Sequence, residues 1–307
     1  MNNEQLLSKL TPPEGVVDVI LDTDAYNEID DQFAIAYALL SPEKIRVTGI
    51  CAAPFFNHRS ESAADGMEKS YDEILKLLAL MGRATFADKV YRGSTTYLSD
   101  EVTPVMSEAA EKLVAEARVH APQSPLYIVA LGALTNVASA ILLDRDTMVN
   151  RTVIVWLGGH ALDWEHTKEF NMKQDVAAAR VVFGCGVPLV QLPCRGVVSE
   201  LHTTEYELRH WLGGTNPLAE YLMQNTIDYC KNKGGAWSKV VWDISAVAWL
   251  MNGERAMMRQ RILPSPIPQY DHHYSLDFHR HPIGYVFHVK RDAIFDDLFA
   301  KLRNEKK

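Results

Sequence analysis

The 307-residue sequence predicts an open, mostly parallel, doubly wound α/β sheet. Three observations carry this. Runs of β-branched and apolar residues recur along the first two-thirds of the chain, each followed by a helical run. The runs are apolar without a polar alternation, as strands covered on both faces are. Polar and glycine-rich turns, such as Gly158-Gly159, close them at their carboxyl ends. A βαβα rhythm of this kind implies right-handed crossovers within one sheet.

The elements follow in order. The first strand is 16–21, ending at Asp22-Thr23-Asp24, and a helix apolar on nearly every side runs over 33–40. A second strand is expected at 47–53 and a charged amphipathic helix at 60–81. Strand 126–130 leads into helix 135–143, strand 152–157 into helix 175–183, and strand 188–192 follows. Residues 201–250 read as mainly helical. The stretch 261–289, rich in Pro, His and Tyr, reads as an antiparallel hairpin packed near the sheet, before a last helix at 293–302. No repeat, low-complexity tract or linker interrupts the chain, so residues 1–307 are expected to form one domain.

Composition narrows the function. The chain is 47% hydrophobic and 23% charged, ordinary for a globular protein. Its net charge of −8 lacks the basic character of a general nucleic-acid binder. No apolar stretch is long and charge-free enough to span a bilayer, and the start MNNEQLLSKLTPPEG has no secretory pattern. Cys51, Cys185, Cys194 and Cys230 form no C-x-x-C pair, so reduced core or near-core thiols in a cytoplasmic protein are expected.

Ligands of open α/β sheets bind at the carboxyl ends of the strands, and four places there stand out. Asp22-x-Asp24 with Asp30-Asp31 puts four carboxylates into ten residues. Crowded at one strand end they repel each other, and a hard divalent cation with oxygen ligands relieves this. Helix capping accounts for one of them, not for all. Asp243, after Trp242 in an apolar run, is either a helix N-cap or a ligand for a buried cation. Glu169-Phe170-Asn171, followed by Asp175, suits the hydroxyls of a sugar, although capping is the commoner role of such residues. The turn 131–136 offers carbonyls to an ion, a weak signal alone.

Together, Asp22-Thr23-Asp24 with Asp30-Asp31, Leu134-Thr135-Asn136, Glu169-Phe170-Asn171 and Trp242-Asp243 resemble the successive motifs of the inosine–uridine-preferring nucleoside hydrolases, in order from about 16 to 250. The resemblance implies the Rossmann-like sheet of that family, with extra C-terminal helices, and hydrolysis of a ribonucleoside to base and ribose. It implies Ca2+ held by Asp24, Asp31, the Thr135 carbonyl and Asp243, with a water and the ribose 2′- and 3′-hydroxyls completing the shell. Asp24 would be the general base. Asp30, Asn57 and Asn171 would hold the sugar, Glu169 would lie near the 5′-hydroxyl, and Asp22 would orient its neighbours. A homodimer or homotetramer is also implied.

Three departures from the family pattern matter. The first motif, DTDAYNEIDD, is two residues longer than usual, which brings Asn27 or Glu28 toward the sugar and loosens the assignment of Asp30. Asp163 replaces a family asparagine six residues before the glutamate, and an acid there would repel a 5′-phosphate. Trp242 replaces the histidine that protonates the leaving base in many pyrimidine-accepting members, and resembles the purine-specific branch, where the base is stacked on aromatic rings. Phe55, Phe56 and Trp164 are candidate stacking partners; His58, His166 and His202 are candidate acids, each more commonly a surface histidine. A phosphatase of the haloacid dehalogenase type is disfavoured, because Tyr26 stands where its motif needs Thr or Val. A non-catalytic ribose binder would not need the full set Asp24, Asp31 and Asp243. A hydrolase of some other N-ribosyl compound keeps the same chemistry.

Overall fold

The computed structural model describes residues 3–303. Its strands are β1 (Val17–Thr23), β2 (Ile45–Ala52), β3 (Val90–Arg92), β4 (Leu126–Ala130), β5 (Thr152–Leu157), β6 (Leu189–Leu192), β7 (His202–Thr203), β8 (Lys239–Val240), β9 (Met258–Pro264), β10 (Ile267–Pro268), β11 (Tyr274–Ser275) and β12 (Pro282–Val289). Eight of them form one sheet in the order β3-β2-β1-β4-β5-β6-β12-β9. Every pairing in it is parallel except β12 with β9. The expected fold class holds.

The tail behaves differently from expectation. β12 and β9 do not lie beside the sheet but extend it, with β12 parallel to β6 through Gly284↔Val190 and Tyr285↔Gln191. Ile283, Gly284, Tyr285 and Val286 are all buried. Further along the same strand Phe287 and His288 are exposed.

The helices are α1 (Asn3–Lys9), α2 (Asp30–Leu39), α3 (Ala63–Leu80), α4 (Glu108–Val119), α5 (Thr135–Leu143), α6 (Arg145–Arg151), α7 (Phe170–Gln174), α8 (Val176–Gly184), α9 (Glu205–Leu212), α10 (Pro217–Cys230), α11 (Ile244–Leu250) and α12 (Arg291–Arg303). Every residue of α2 is buried, as an all-round apolar helix requires. One core joins α2, α10, α11 and α12 to one face of the sheet, and a second joins α4, α5 and α8 to the other. None of the described helices is long and apolar enough to cross a membrane. Cys51, Cys194 and Cys230 are buried, Cys185 is half-buried, and none is in a disulfide.

The order of strands decides where a site can form. From β1 the chain moves outward on one side through β2 and β3, then returns to β4 on the other side of β1. The sheet therefore reverses direction between β1 and β4, and a crevice opens past their carboxyl ends. The turn after β4 presses close to that crevice: a Cβ on Gly132 would stand 3.2 Å from the Asp24 carboxyl carbon.

Candidate active site

A cleft of about 610 Å³ opens at this reversal, within the size range of small-molecule sites. Asp24, Asp30, Asp31, Asn57, Glu169, Asn171, Trp242 and Asp243 all line it. A cavity of similar size, about 630 Å³, lies at the opposite end of the strands beside Val17 and Asp18, but no cluster of carboxylates lines it.

The floor of the cleft is acidic. Asp30 and Asp31 form the first turn of α2, whose N-cap residue is Ile29, so neither caps the helix; its N-terminal dipole still favours their charge. Asp243 stands at the N-cap position of α11 but accepts no capping bond. Asp30, Asp31 and Asp243 present oxygens that all lie within 4.8 Å of one another. Asp31 accepts a hydrogen bond from the Thr23 hydroxyl and shares one with Asp243. Two carboxyls can share a bond only when a proton lies between them. Burial, then Asp30, pushes Asp31 up to about 7, and burial, then Asp31, raises Asp243 well above the usual range.

Asp24 completes the group. It is buried, and its Oδ2 has no hydrogen-bond donor. Burial, then the charges of Asp31 and Asp30, hold its carboxyl well above the ordinary range. Asp22 lies behind it, outside the cleft lining: its Oδ1 accepts from the Asn136 amide at 2.8 Å, its Oδ2 is buried without a donor, and burial raises it to about 7. Buried carboxylates with unfilled oxygens and a proton standing in for positive charge suit a hard cation. The cluster that the geometry selects includes Asp30, with Asp24 coupled to it by charge. Thr135 sits at the start of α5, and its hydroxyl donates to Asp175 at 2.7 Å.

Asp30 is itself held from outside the cluster. It accepts from the Trp242 backbone N–H at 3.0 Å and lies 3.7 Å from the Lys239 ammonium. Lys239 is buried and also bonds Glu28 at 2.6 Å. Burial alone would lower the Lys239 pKa, but Asp30 and Glu28 outweigh it and raise it. Glu28 comes from the lengthened first motif and also accepts from the Tyr229 hydroxyl at 3.1 Å. Its neighbour Asn27 accepts from the Asn57 amide at 2.6 Å. The added residues thus wall the cleft and tie α2 to α10 and β8. Removing one member of a buried ion pair costs about 3–5 kcal/mol. Lys239→Met is therefore expected to destabilise the protein by about that amount at pH 8. The loss should be smaller at pH 5, where the abandoned carboxyls take up protons. Urea unfolding at both pH values checks this, and a cost below about 1 kcal/mol at pH 8 would contradict the role given to the pair.

The sugar side of the cleft is built by capping. Glu169 caps α7, accepting from Asn171 and Met172 N–H groups and from Gly159 N–H, each at 2.9 Å. Gly159 has φ +72, and a Cβ there would strike the Tyr274 hydroxyl at 2.3 Å, so this turn requires glycine. Asn171 donates its amide to the Leu131 and Leu157 carbonyls at 2.7 and 3.1 Å, which leaves Oδ1 as its acceptor. Asp175 caps α8 by accepting from Ala178 N–H at 2.8 Å, the commoner role foreseen for such a residue.

Asp163 does not reach the cleft. It is exposed, because the chain after β5 turns outward, with Trp164 N–H bonded to the Ala161 carbonyl and Leu162 N–H anchored on the Tyr285 hydroxyl. Of the candidate stacking partners, Phe55 is core, Phe56 is exposed at 55%, and Trp164 rests edge-on against His160. The aromatic rings that do line the cleft are Phe170, Tyr229 and Trp242. His58 and His166 line it; His202 is exposed elsewhere, beside Ser238. His160, missed in the sequence, lines it and is buried. Burial, then Arg195 and His166, lower its pKa to about 4, so it is neutral near pH 7. Its place directly after Gly158-Gly159 at a strand end was the available signal.

The profile of the inosine-uridine preferring nucleoside hydrolases matches residues 19–279. The chain belongs to that family. It is therefore a ribonucleoside N-glycosidase. The pyrimidine-specific ribonucleoside hydrolase RihA of Salmonella arizonae is 28% identical over 264 residues, covering 77% of this chain and 80% of that protein. RihA of Shewanella woodyi is 26% identical over the same shares. Among solved structures, the purine-preferring ribonucleoside hydrolase from Gardnerella vaginalis superposes with a TM-score of 0.76 at 18% identity, over 94% of this chain and 98% of that one. The plant nucleoside hydrolase PpNRh1 gives 0.73 at 21% identity, over 94% and 99%. At those identities the structures speak for the shared fold.

Proposed function

We propose that this hydrolase cleaves ribonucleosides to base and ribose with a preference for purine nucleosides, with Asp24 as general base and Ca2+ at the aspartate floor. The buried, donor-free Oδ2 of Asp24 beside Asp30, Asp31 and Asp243 is the observation that carries this reading. Asp24, Asp31, Asp243 and the Thr135 carbonyl would hold the ion, with Asp30 bordering it. When bound, calcium supplies the positive charge that lets these carboxyls ionise together and a modest acidification of water.

In the reaction a water oxygen adds to C1′, the C1′–N bond breaks with its electrons moving to the base, and Asp24 Oδ2 takes the proton of the water. Ionised carboxylates around the ring favour the oxocarbenium-like positive charge that develops on the sugar. Asn57 and the Asn171 Oδ1 hold ribose hydroxyls together with Asp30 and Glu169, and Asp22, fixed by Asn136, keeps the strand end in place. His160 is a poor proton donor near pH 7 because its imidazole is already neutral. Stacking of the base on Trp242, one of the aromatic rings that line the cleft, instead eases protonation of a purine ring nitrogen.

Ribose release from inosine, adenosine, guanosine, uridine and cytidine with calcium present tests the preference. We expect purine nucleosides to be cleaved well above pyrimidine ones, and Trp242→Ala to lower purine turnover by about tenfold or more, the value of one aromatic pair with its desolvation. Uridine and cytidine turnover exceeding that of every purine would overturn the preference and leave the hydrolysis standing.

A further inference from the structure

We propose that the outer wall of the cleft receives an anionic group on the ribosyl substrate, a phosphomonoester at the sugar 5′ position. Lys168, Lys173 and Arg195 all line the cleft, from three places: before α7, within α7 and after β6. None of them forms an ion pair among the described residues, whereas the buried Lys239, outside the cleft lining, is engaged with Glu28 and Asp30. The chain carries a net charge of −8, so three unpaired cations facing one cavity do not follow from general basicity. His58 and His166 also line the cleft; His166 accepts from the Lys168 backbone N–H at 3.2 Å and lies 3.7 Å from the exposed Glu165 carboxylate. The cleft is therefore divided, with carboxylates on its floor and cations at its wall. A neutral nucleoside uses only the first.

This rests on the hydrolase reading for the placing of the sugar. Lys168 directly precedes Glu169, and Lys173 follows Asn171 by two positions on α7, so the cations adjoin the residues assigned to the ribose hydroxyls. Lysine and arginine are the side chains that bind phosphate groups, as point charge and as fork. The repulsion expected from Asp163 does not operate, since that residue is exposed and outside the cleft.

Titration calorimetry of the calcium-loaded enzyme with ribose 5-phosphate and with ribose tests the proposal without turnover. We expect ribose 5-phosphate to bind at least about tenfold more tightly at low salt, from charge-assisted bonds, and the advantage to shrink as salt is added. It should vanish in the triple variant K168A/K173A/R195A and persist in K168R/K173R. Equal affinities in the unaltered enzyme, or an advantage that survives the triple variant, would overturn the proposal; the latter would place the phosphate on the metal. Ribose release from inosine, measured in parallel, separates the two readings: its absence beside a preserved tenfold preference would remove the hydrolase mechanism while supporting the anion site.

Discussion

Replacing Asp24 by asparagine is expected to lower ribose release by about 10²–10⁴-fold, the contribution of a positioned general base, without loss of the fold. The substitution keeps shape and removes one charge. Asp24 is buried, and its Oδ2 has no protein donor to lose. Its carboxyl is raised by burial and by Asp31 and Asp30, so in the metal-free protein the ionised form is a source of repulsion. Asparagine relieves that repulsion, and the metal-free variant should melt no lower than the parent. Activity and stability thus move apart, which a merely structural residue would not produce. Steady-state assays with inosine, alongside thermal melts, give both numbers. Turnover within about threefold of the parent would remove Asp24 from the role of base.

Metal-free enzyme should lose stability as pH rises from about 4 through 7, and calcium should restore it more at pH 8 than at pH 5. Asp22 and Asp31 are each pushed up to about 7 in the folded chain, whereas an unfolded aspartate titrates near ~3.9. Between those values the folded state holds protons that the unfolded state has released. Stability therefore falls with rising pH, by at most about 1.4 kcal/mol per unit for each such group. Asp24 and Asp243, raised in the same direction, add to the trend. His160 opposes it below its ordinary pKa: lowered to about 4, it makes the unfolded state the better proton binder between there and about 6.5, so its contribution is lost as pH falls. His281, likewise lowered to about 4 by burial and then Arg280, acts in the same sense, but two histidines against the raised Asp22, Asp24, Asp31 and Asp243 leave the net slope negative. Binding of a divalent ion displaces the protons held by the cluster and grows stronger with pH. Melts at pH 5 and pH 8, with chelator and with excess calcium, check both signs. A metal-free melting temperature that climbs from pH 5 to pH 8 would refute the account of the floor.

How far each feature was visible in the sequence depended on the range of the interaction behind it. The strands and helices around β1, β4 and β5 were visible because continuous apolar runs ended by turn residues are a local pattern. Strand β4, helix α5 and strand β5 begin and end where they were expected. Strand β3 and helix α4 were missed: β3 has three residues, one of them buried, and α4 has a charged surface with only a narrow apolar stripe. The carboxylates Asp22, Asp24, Asp30, Asp31 and Asp243 stood out because acids inside apolar surroundings cannot be ordinary surface residues.

The chain by itself determined a doubly wound sheet with an acidic cleft at its strand ends, since hydrophobic periodicity and buried charge are written residue by residue. Only the tertiary structure decided which neighbours complete that cleft. Lys239 meets Glu28 across 211 positions of sequence, and a lysine beside an apolar run carries no local sign of such a partner. Asp163 turned away because a hydroxyl on β12, far along the chain, anchors the backbone beside it. His160, Lys168, Lys173 and Arg195 face one cavity because the ends of β5, α7 and β6 converge there. Local propensity acts between near neighbours, whereas the balance of charge in a cavity is set by groups that only folding brings together.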